Sequence, residues 1–160
     1  MNRDIAEKLG LPPVDQVGFV VRDLDQAIET FGALFGEFQT METALEGAWY
    51  RGRPADVSLR IGFGKSGPLE IELIEVVSGE SPHREFLEKH GEGIHHIRFR
   101  VDDIDPPLAQ LKELGFEVIW AHEIPQVSAK WAYLEGPPDH GNALVELYAL
   151  GGRRGGRGRV

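Results

Sequence analysis

Hydrophobic and polar positions alternate in two stretches of this chain, and the two stretches match. In Gln16-Val17-Gly18-Phe19-Val20-Val21, the residues Val17, Phe19 and Val21 share one side. In His96-Ile97-Arg98-Phe99-Arg100-Val101, Ile97, Phe99 and Val101 do the same and leave His96, Arg98 and Arg100 opposite. A period of two predicts half-buried strands. The stretches align without gaps at an offset of 80, which sets Gln16 on His96 and Asp23-Leu24-Asp25 on Asp103-Ile104-Asp105.

Each strand runs into a helical period. Ala27, Ile28, Phe31, Leu34 and Phe35 predict a helix that Gly36 stops. In the second half Asp105 is expected to be the N-cap, with Pro106 in the first turn and Gly115 closing the helix. Strand-like segments follow at 37–42, 57–63 and 69–74, then at 116–120, 130–134 and 143–148. The closing strands superpose at an offset of 74, Ile71-Glu72-Leu73 on Val145-Glu146-Leu147. Between the halves, Ser81 and Pro82 open a linking helix through Phe86 and Leu87 that Gly91 ends.

The chain is therefore expected to be α+β, two tandem β-α-β-β-β modules forming a curved sheet around a cleft. A four-stranded sheet with one helix buries a single face, and a duplicated module covers the other. The predicted organisation is an N-terminal arm over 1–12 and a single domain over 13–149. Within that domain lie module one (13–80), the linking helix (81–91) and module two (92–149), and a disordered Gly/Arg tail follows over 150–160.

Composition narrows this picture. A length of 160 residues suits one domain. The absence of cysteine excludes a disulfide framework and leaves only nitrogen and oxygen ligands for any metal. No apolar run approaches the ~20 residues of a membrane span, and residues 1–8 lack a signal peptide's apolar block. A cytoplasmic protein without membrane contact is expected. The net charge of −9 includes four arginines in the last ten residues; the rest carries 13 basic and 26 acidic residues. So acidic a body is a poor surface for nucleic acid. The tail reads as solvated, with RNA or another acidic surface as its alternative.

A two-fold relation between the modules brings Gln16, Glu72, His96 and Glu146 together. Taken singly, each reads as readily as a packed or solvated side chain. Together they are one imidazole, one amide oxygen and two carboxylates that offset a divalent charge, a set suited to Mn, Co, Ni, Mg or Zn. Such an ion, with a position left open, polarises a substrate carbonyl, and a carboxylate beside it can take the proton alpha to that carbonyl. Arg98, alternating with His96, is either a clamp for a substrate carboxylate or the partner of one of the many acids. Arg60 is a second candidate for substrate. Trp49, Trp120 and Trp131 line the pocket or belong to the core, and Trp131 is assigned to substrate. His83, His90 and His122 are expected at the surface.

At these residues the chain resembles the vicinal oxygen chelate superfamily of glyoxalases, bleomycin-resistance proteins, extradiol dioxygenases and methylmalonyl-CoA epimerases. The general resemblance covers roughly residues 13 to 149. From about 69 to 115 it is most similar to the epimerases, through Ile71-Glu72-Leu73-Ile74-Glu75, Ser81-Pro82, Phe86-Leu87-Glu88-Lys89, Gly91-Glu92-Gly93-Ile94-His95-His96-Ile97 and Val101-Asp102-Asp103-Ile104. The resemblance implies metal ligation by Gln16, Glu72, His96 and Glu146. It implies Glu146 as the proton-transferring base with Glu72 as its partner, an acyl-CoA or other carboxylate as small-molecule substrate, and a homodimer. Three departures stand out. Gln16 replaces the epimerases' usual histidine, which gives a ligand set like that of some glyoxalase I enzymes and unlike the dioxygenase iron triad. Glu135-Gly136-Pro137-Pro138-Asp139-His140-Gly141 replaces their His-Pro-Lys segment. Ser58 and Arg60 stand on the strand near which their additional catalytic glutamate is sought. The expected activity is a metal-dependent epimerase or isomerase; the alternatives are a glyoxalase I-like lyase and a metal-free binding protein of the bleomycin-resistance type.

Overall fold

A computed structural model describes residues 7–151, and among them eight strands and three longer helices build the fold. Residues 1–6 of the predicted arm and 152–160 of the predicted disordered tail lie outside the described residues. Module one is β1 (Gln16–Val21), α1 (Leu24–Phe35), β2 (Gln39–Tyr50), β3 (Arg53–Ser66) and β4 (Leu69–Gly79). The linking helix α2 (Pro82–His90) leads to β5 (Gly93–Val101), α3 (Asp105–Glu113), β6 (Glu117–Ile124), β7 (Ala129–Glu135) and β8 (Leu144–Leu150). Both halves are β-α-β-β-β. Among the described residues no helix is long and apolar enough to cross a membrane.

Local chemistry sets the helix ends. The Asp23 carboxylate accepts from Gln26 N at the start of α1, and Ser81 Oγ accepts from Arg84 N at the start of α2, where Pro82 fills the first turn. Asp105 is the first residue of α3 and not its N-cap; Asp103 Oδ1 accepts from Asp105 N at 3.0 Å. The reason is that Pro106 and Pro107 follow, and neither has an N–H for a cap to serve. Strand β2 outruns its predicted segment and continues to Tyr50 past a bulge between Leu45 and Ala48, where Glu46-Gly47 breaks the alternation.

The strands close into one barrel in the order β1-β4-β3-β2-β6-β7-β8-β5, so the two modules share one internal order. In each, the first strand runs parallel to the last: Gly18 faces Glu72 in one and Arg98 faces Glu146 in the other. The halves meet where β1 and β5 pair antiparallel through Val17 and Ile97, and again at the Trp49–Ala121 and Tyr50–Trp120 pairs of β2 and β6. Helix α1 covers the outside of module one with Leu24, Phe31 and Phe35 against Ile71 and Leu73. Helix α3 covers module two with Leu108 and Leu111 against Leu134 and Leu147. Inside the barrel, Leu45, Val57, Leu59, Ile61, Ile119, Trp120 and Tyr133 form a third cluster. Each fully buried leucine of this kind contributes about 2 kcal/mol, and together they hold the strands whose inner faces carry the polar site.

Candidate metal centre

Four strands each deliver one polar side chain to the same point inside the barrel. Gln16 comes from β1, Glu72 from β4, His96 from β5 and Glu146 from β8, and their exposures are 1%, 8%, 0% and 7%. His96 Nε2 lies 3.0 Å from Gln16 Oε1, 3.2 Å from Glu72 Oε2 and 3.1 Å from Glu146 Oε2. Gln16 Nε2 donates to Glu70 Oε1 at 2.7 Å, which turns the amide oxygen toward His96. Among the described residues, no arginine engages Gln16 or Glu72.

The donor set fits a divalent cation. An octahedron with bonds of about 2.1 Å places neighbouring donors about 3.0 Å apart, close to the spacing of the three oxygens from His96 Nε2. Two carboxylates would balance the ion's charge in a buried place. Ligation needs the Nε2 lone pair, so a proton and a cation compete there. Burial opposes a proton on His96, but hydrogen bonds and charge from Glu146 and Glu72 outweigh it and raise the imidazole to about 9. Burial raises the Glu146 carboxyl above its ordinary range, with Glu72 adding to the effect and His96 and Arg98 opposing it.

Two residues near His96 carry little sequence signal. Gly18 lies beneath the ring, and a Cβ there would collide with it; a glycine inside a strand was the available clue. His95 also turns inward, because β5 carries a bulge where Gly18 faces His96 and Phe19 faces Ile94. His83, expected at the surface, is buried instead: Pro82 and Phe86 of the amphipathic α2 dock inward and carry it with them. Its ring stacks on His95 at 4.6 Å, and its Nε2 lies 3.3 Å from the Tyr133 hydroxyl. Burial lowers His83 to about 3 and, with the His83 and His96 rings adding to it, lowers His95 well below its usual value. His83, His95 and His96 can each bring a ring nitrogen within 4.8 Å of the others. Three neutral imidazoles would leave a cation's charge unbalanced in the interior, and the oxygen side of His96 suits it better.

Gln16, Glu72 and Glu146 border a cleft of about 410 Å³, with His96 buried behind them. Leu59, Ile61 and Phe63 line one wall, Trp120, Trp131 and Tyr133 another, and Arg98 and Arg100 a third. Arg98 is at once in the cleft and paired: its Nε and Nη2 donate to the two Asp15 oxygens at 2.9 Å, and Nη2 lies 3.4 Å from Glu70. Both guanidinium groups lie over the Tyr148 ring, at 5.2 and 5.9 Å.

Arg60 does not reach the cleft. It points to the α1 side of β3, where Asp25 and Glu75 hold it at 2.9 and 3.1 Å, while Leu59 and Ile61 take the inner face. Trp49 is 42% exposed at the β2–β6 seam and is no part of the lining, whereas Trp131 lines the cleft and packs between Trp120 and His122. His90 is exposed, as expected, and His122 is half-buried.

Comparison with known proteins adds the family. The model of the Glyoxalase/Bleomycin resistance protein/Dioxygenase superfamily matches residues 15–133. The uncharacterised Bacillus subtilis protein YqjC is 27% identical over 135 residues, 84% of this chain and 89% of that one. An ethylmalonyl-CoA/methylmalonyl-CoA epimerase of Cereibacter sphaeroides is 40% identical over 81 residues, which span 49% of this chain and only 60% of that enzyme. The crystal structure of methylmalonyl-CoA epimerase from Mycobacterium tuberculosis superposes with a TM-score of 0.63 at 24% identity, covering 89% of this chain and 90% of that one. At that identity the likeness is one of fold.

Proposed function

Because the chain belongs to the glyoxalase/bleomycin resistance protein/dioxygenase superfamily, we propose that it is a metal-dependent isomerase of the epimerase kind, moving the proton alpha to a carbonyl or thioester. The observation that carries this reading is the meeting of Gln16 Oε1, Glu72 and Glu146 around His96 Nε2 at the floor of the cleft. These four residues would hold the divalent ion, which supplies Lewis-acid polarisation of the substrate carbonyl.

The chain's own groups do the rest. Glu146 as carboxylate takes the α-proton on one face of the substrate, its basicity increased by burial. Glu72, from the other module, is the partner through which a proton returns to the opposite face, and the two roles exchange in the reverse direction. Arg98, braced by Asp15 and Tyr148, presents positive charge to an anionic substrate group. The apolar wall of Leu59, Ile61 and Phe63 keeps water from the reacting carbon. The partial match to an ethylmalonyl-CoA/methylmalonyl-CoA epimerase makes a 2-alkylmalonyl thioester the substrate class to try first.

The test is metal content of protein purified without chelator, wild type beside His96→Ala and Glu146→Ala. About one divalent ion per chain is expected in the wild type, with loss in both variants. Methylmalonyl-CoA in deuterated water should then exchange its α-proton only with the loaded wild type. A wild type that takes up none of Mn, Co, Ni or Zn overturns the proposal and leaves a ligand-binding protein.

A further inference from the structure

His95 sits in an environment that stability alone does not explain. It is fully buried among His83, Phe86 and Tyr133, with ring centroids at 4.6, 5.3 and 5.6 Å. In such an aromatic nest a phenylalanine would bury the same area with no polar atom to satisfy. Instead, among the described residues, His95 Nε2 makes no well-formed hydrogen bond, a cost that a phenylalanine would not carry. Its other nitrogen, Nδ1, lies 3.0 Å from His96 Nδ1, with the two rings nearly perpendicular at 89°. The contact exists only because β5 bulges at this point: consecutive residues of a regular strand face opposite ways, whereas here both rings turn inward.

A hydrogen bond between two ring nitrogens needs one donor and one acceptor. His96 Nε2 faces Gln16, Glu72 and Glu146. If that nitrogen offers its lone pair to a cation, the ring proton must be on Nδ1. If it instead carries a proton toward the carboxylates, the neutral ring leaves Nδ1 bare and the roles of the two rings are reversed. With the cation bound, therefore, His96 Nδ1 donates, His95 Nδ1 accepts, and the His95 proton stays on Nε2.

We propose that His95 is a positioning residue, whose Nδ1 accepts the His96 Nδ1–H and so holds the tautomer and ring orientation that aim His96 Nε2 at the three oxygen donors. The proposal rests on the reading of the quartet as a metal site. Groups that orient a metal-bound histidine are usually carboxylates, carbonyls or water, and their loss weakens the metal site about 10–100-fold; here the group is a second, neutral imidazole.

The experiment uses Zn(II) as the probe and histidine ¹⁵N shifts as an independent readout. With zinc bound, the wild type should show His95 protonated at Nε2 and bare at Nδ1. His95→Phe should weaken zinc binding about 10–100-fold, while His95→Gln, whose amide oxygen can accept the same proton, should recover to within a few-fold of wild type. A merely structural role predicts instead that both variants lose stability alike and keep wild-type zinc affinity. A proton on His95 Nδ1 in the zinc-loaded wild type, or unchanged zinc affinity in His95→Phe, overturns the proposal. Should His95→Phe not fold, the wild-type tautomer decides the question. Absence of zinc binding by the wild type would defeat the metal reading and this proposal with it, whereas zinc bound beside a His95 protonated at Nδ1 would defeat the proposal alone.

Discussion

A single missing methyl group at Gly18 makes room for His96. The glycine is in β1 between β4 and β5, so its backbone is held on both sides and cannot yield to a new side chain. Gly18→Ala should therefore push the His96 ring off the oxygen donors, since the added Cβ would occupy the ring's place. We expect a stability loss of about 1–3 kcal/mol by urea unfolding, together with a fall in zinc affinity of about tenfold or more. Wild-type values of both would show that the ring has other room. Arg60 carries the complementary lesson: a charged side chain in an alternating strand finds acids on the helix side as readily as substrate on the cleft side.

Strands and caps place these residues, and they differ in what they ask of the sequence. The bulge in β5 adds one residue against β1 and brings two consecutive histidines to one side. Helix α2 holds His83 against them and depends on its N-cap, since Ser81 is 1% exposed and its Oγ serves Arg84 N. Ser81→Ala should cost about 1 kcal/mol, a drop in Tm of about 2–4 °C for a chain of this size. Thermal melting with an unchanged urea m-value would identify a lost cap and not a loosened fold; an unaltered Tm would mean that the cap contributes nothing.

Across the whole molecule the modules are tied at the seam as well as through the barrel. Arg51 forks from the end of β2 to Glu85 on α2 at 2.8 Å and to Glu135 on β7 at 3.3 Å, and the Tyr50 hydroxyl also reaches Glu85. Burial works against the Glu85 charge, but Arg51, Lys89 and Tyr50 bring its carboxyl down to about 2. Its contribution is present above the unfolded value near 4.5 and is lost as pH falls toward 2. His83 acts earlier. Buried and lowered to about 3, it stays neutral while the unfolded chain gains a proton below about 6.5, so stability falls with pH through that window. His95 acts in the same sense, and His96, raised to about 9, acts only above pH 6.5 and in the opposite one. Between pH 7 and 5 the wild type should lose about 2 kcal/mol through His83. Urea midpoints should show a shallower decline in His83→Phe; equal slopes in the two proteins would refute this account.

Gln16, Glu72, His96 and Glu146 could be named from the sequence because the internal repeat along the chain is also a repeat in strand order. Equal offsets along the chain become equivalent places around the β1–β5 contact, so two strand pairs in order were enough to bring four side chains together. The α+β class, the doubled β-α-β-β-β order and the inward side of β5 followed from the same periodicities. Which face of β3 meets the cleft did not follow. Both surfaces of a barrel wall are packed, one on a helix and one on the cleft, and in β3 the apolar side is the inner one, which sends Arg60 out. The inward turn of His95 comes from a bulge that breaks the two-residue period, and the orientation of the Gln16 amide comes from Glu70 on another strand. The burial of His83 comes from the docking of α2. Parity along a strand is local and legible in sequence; bulges, facing and second partners depend on contacts between residues far apart in the chain, and only the closed barrel decided them.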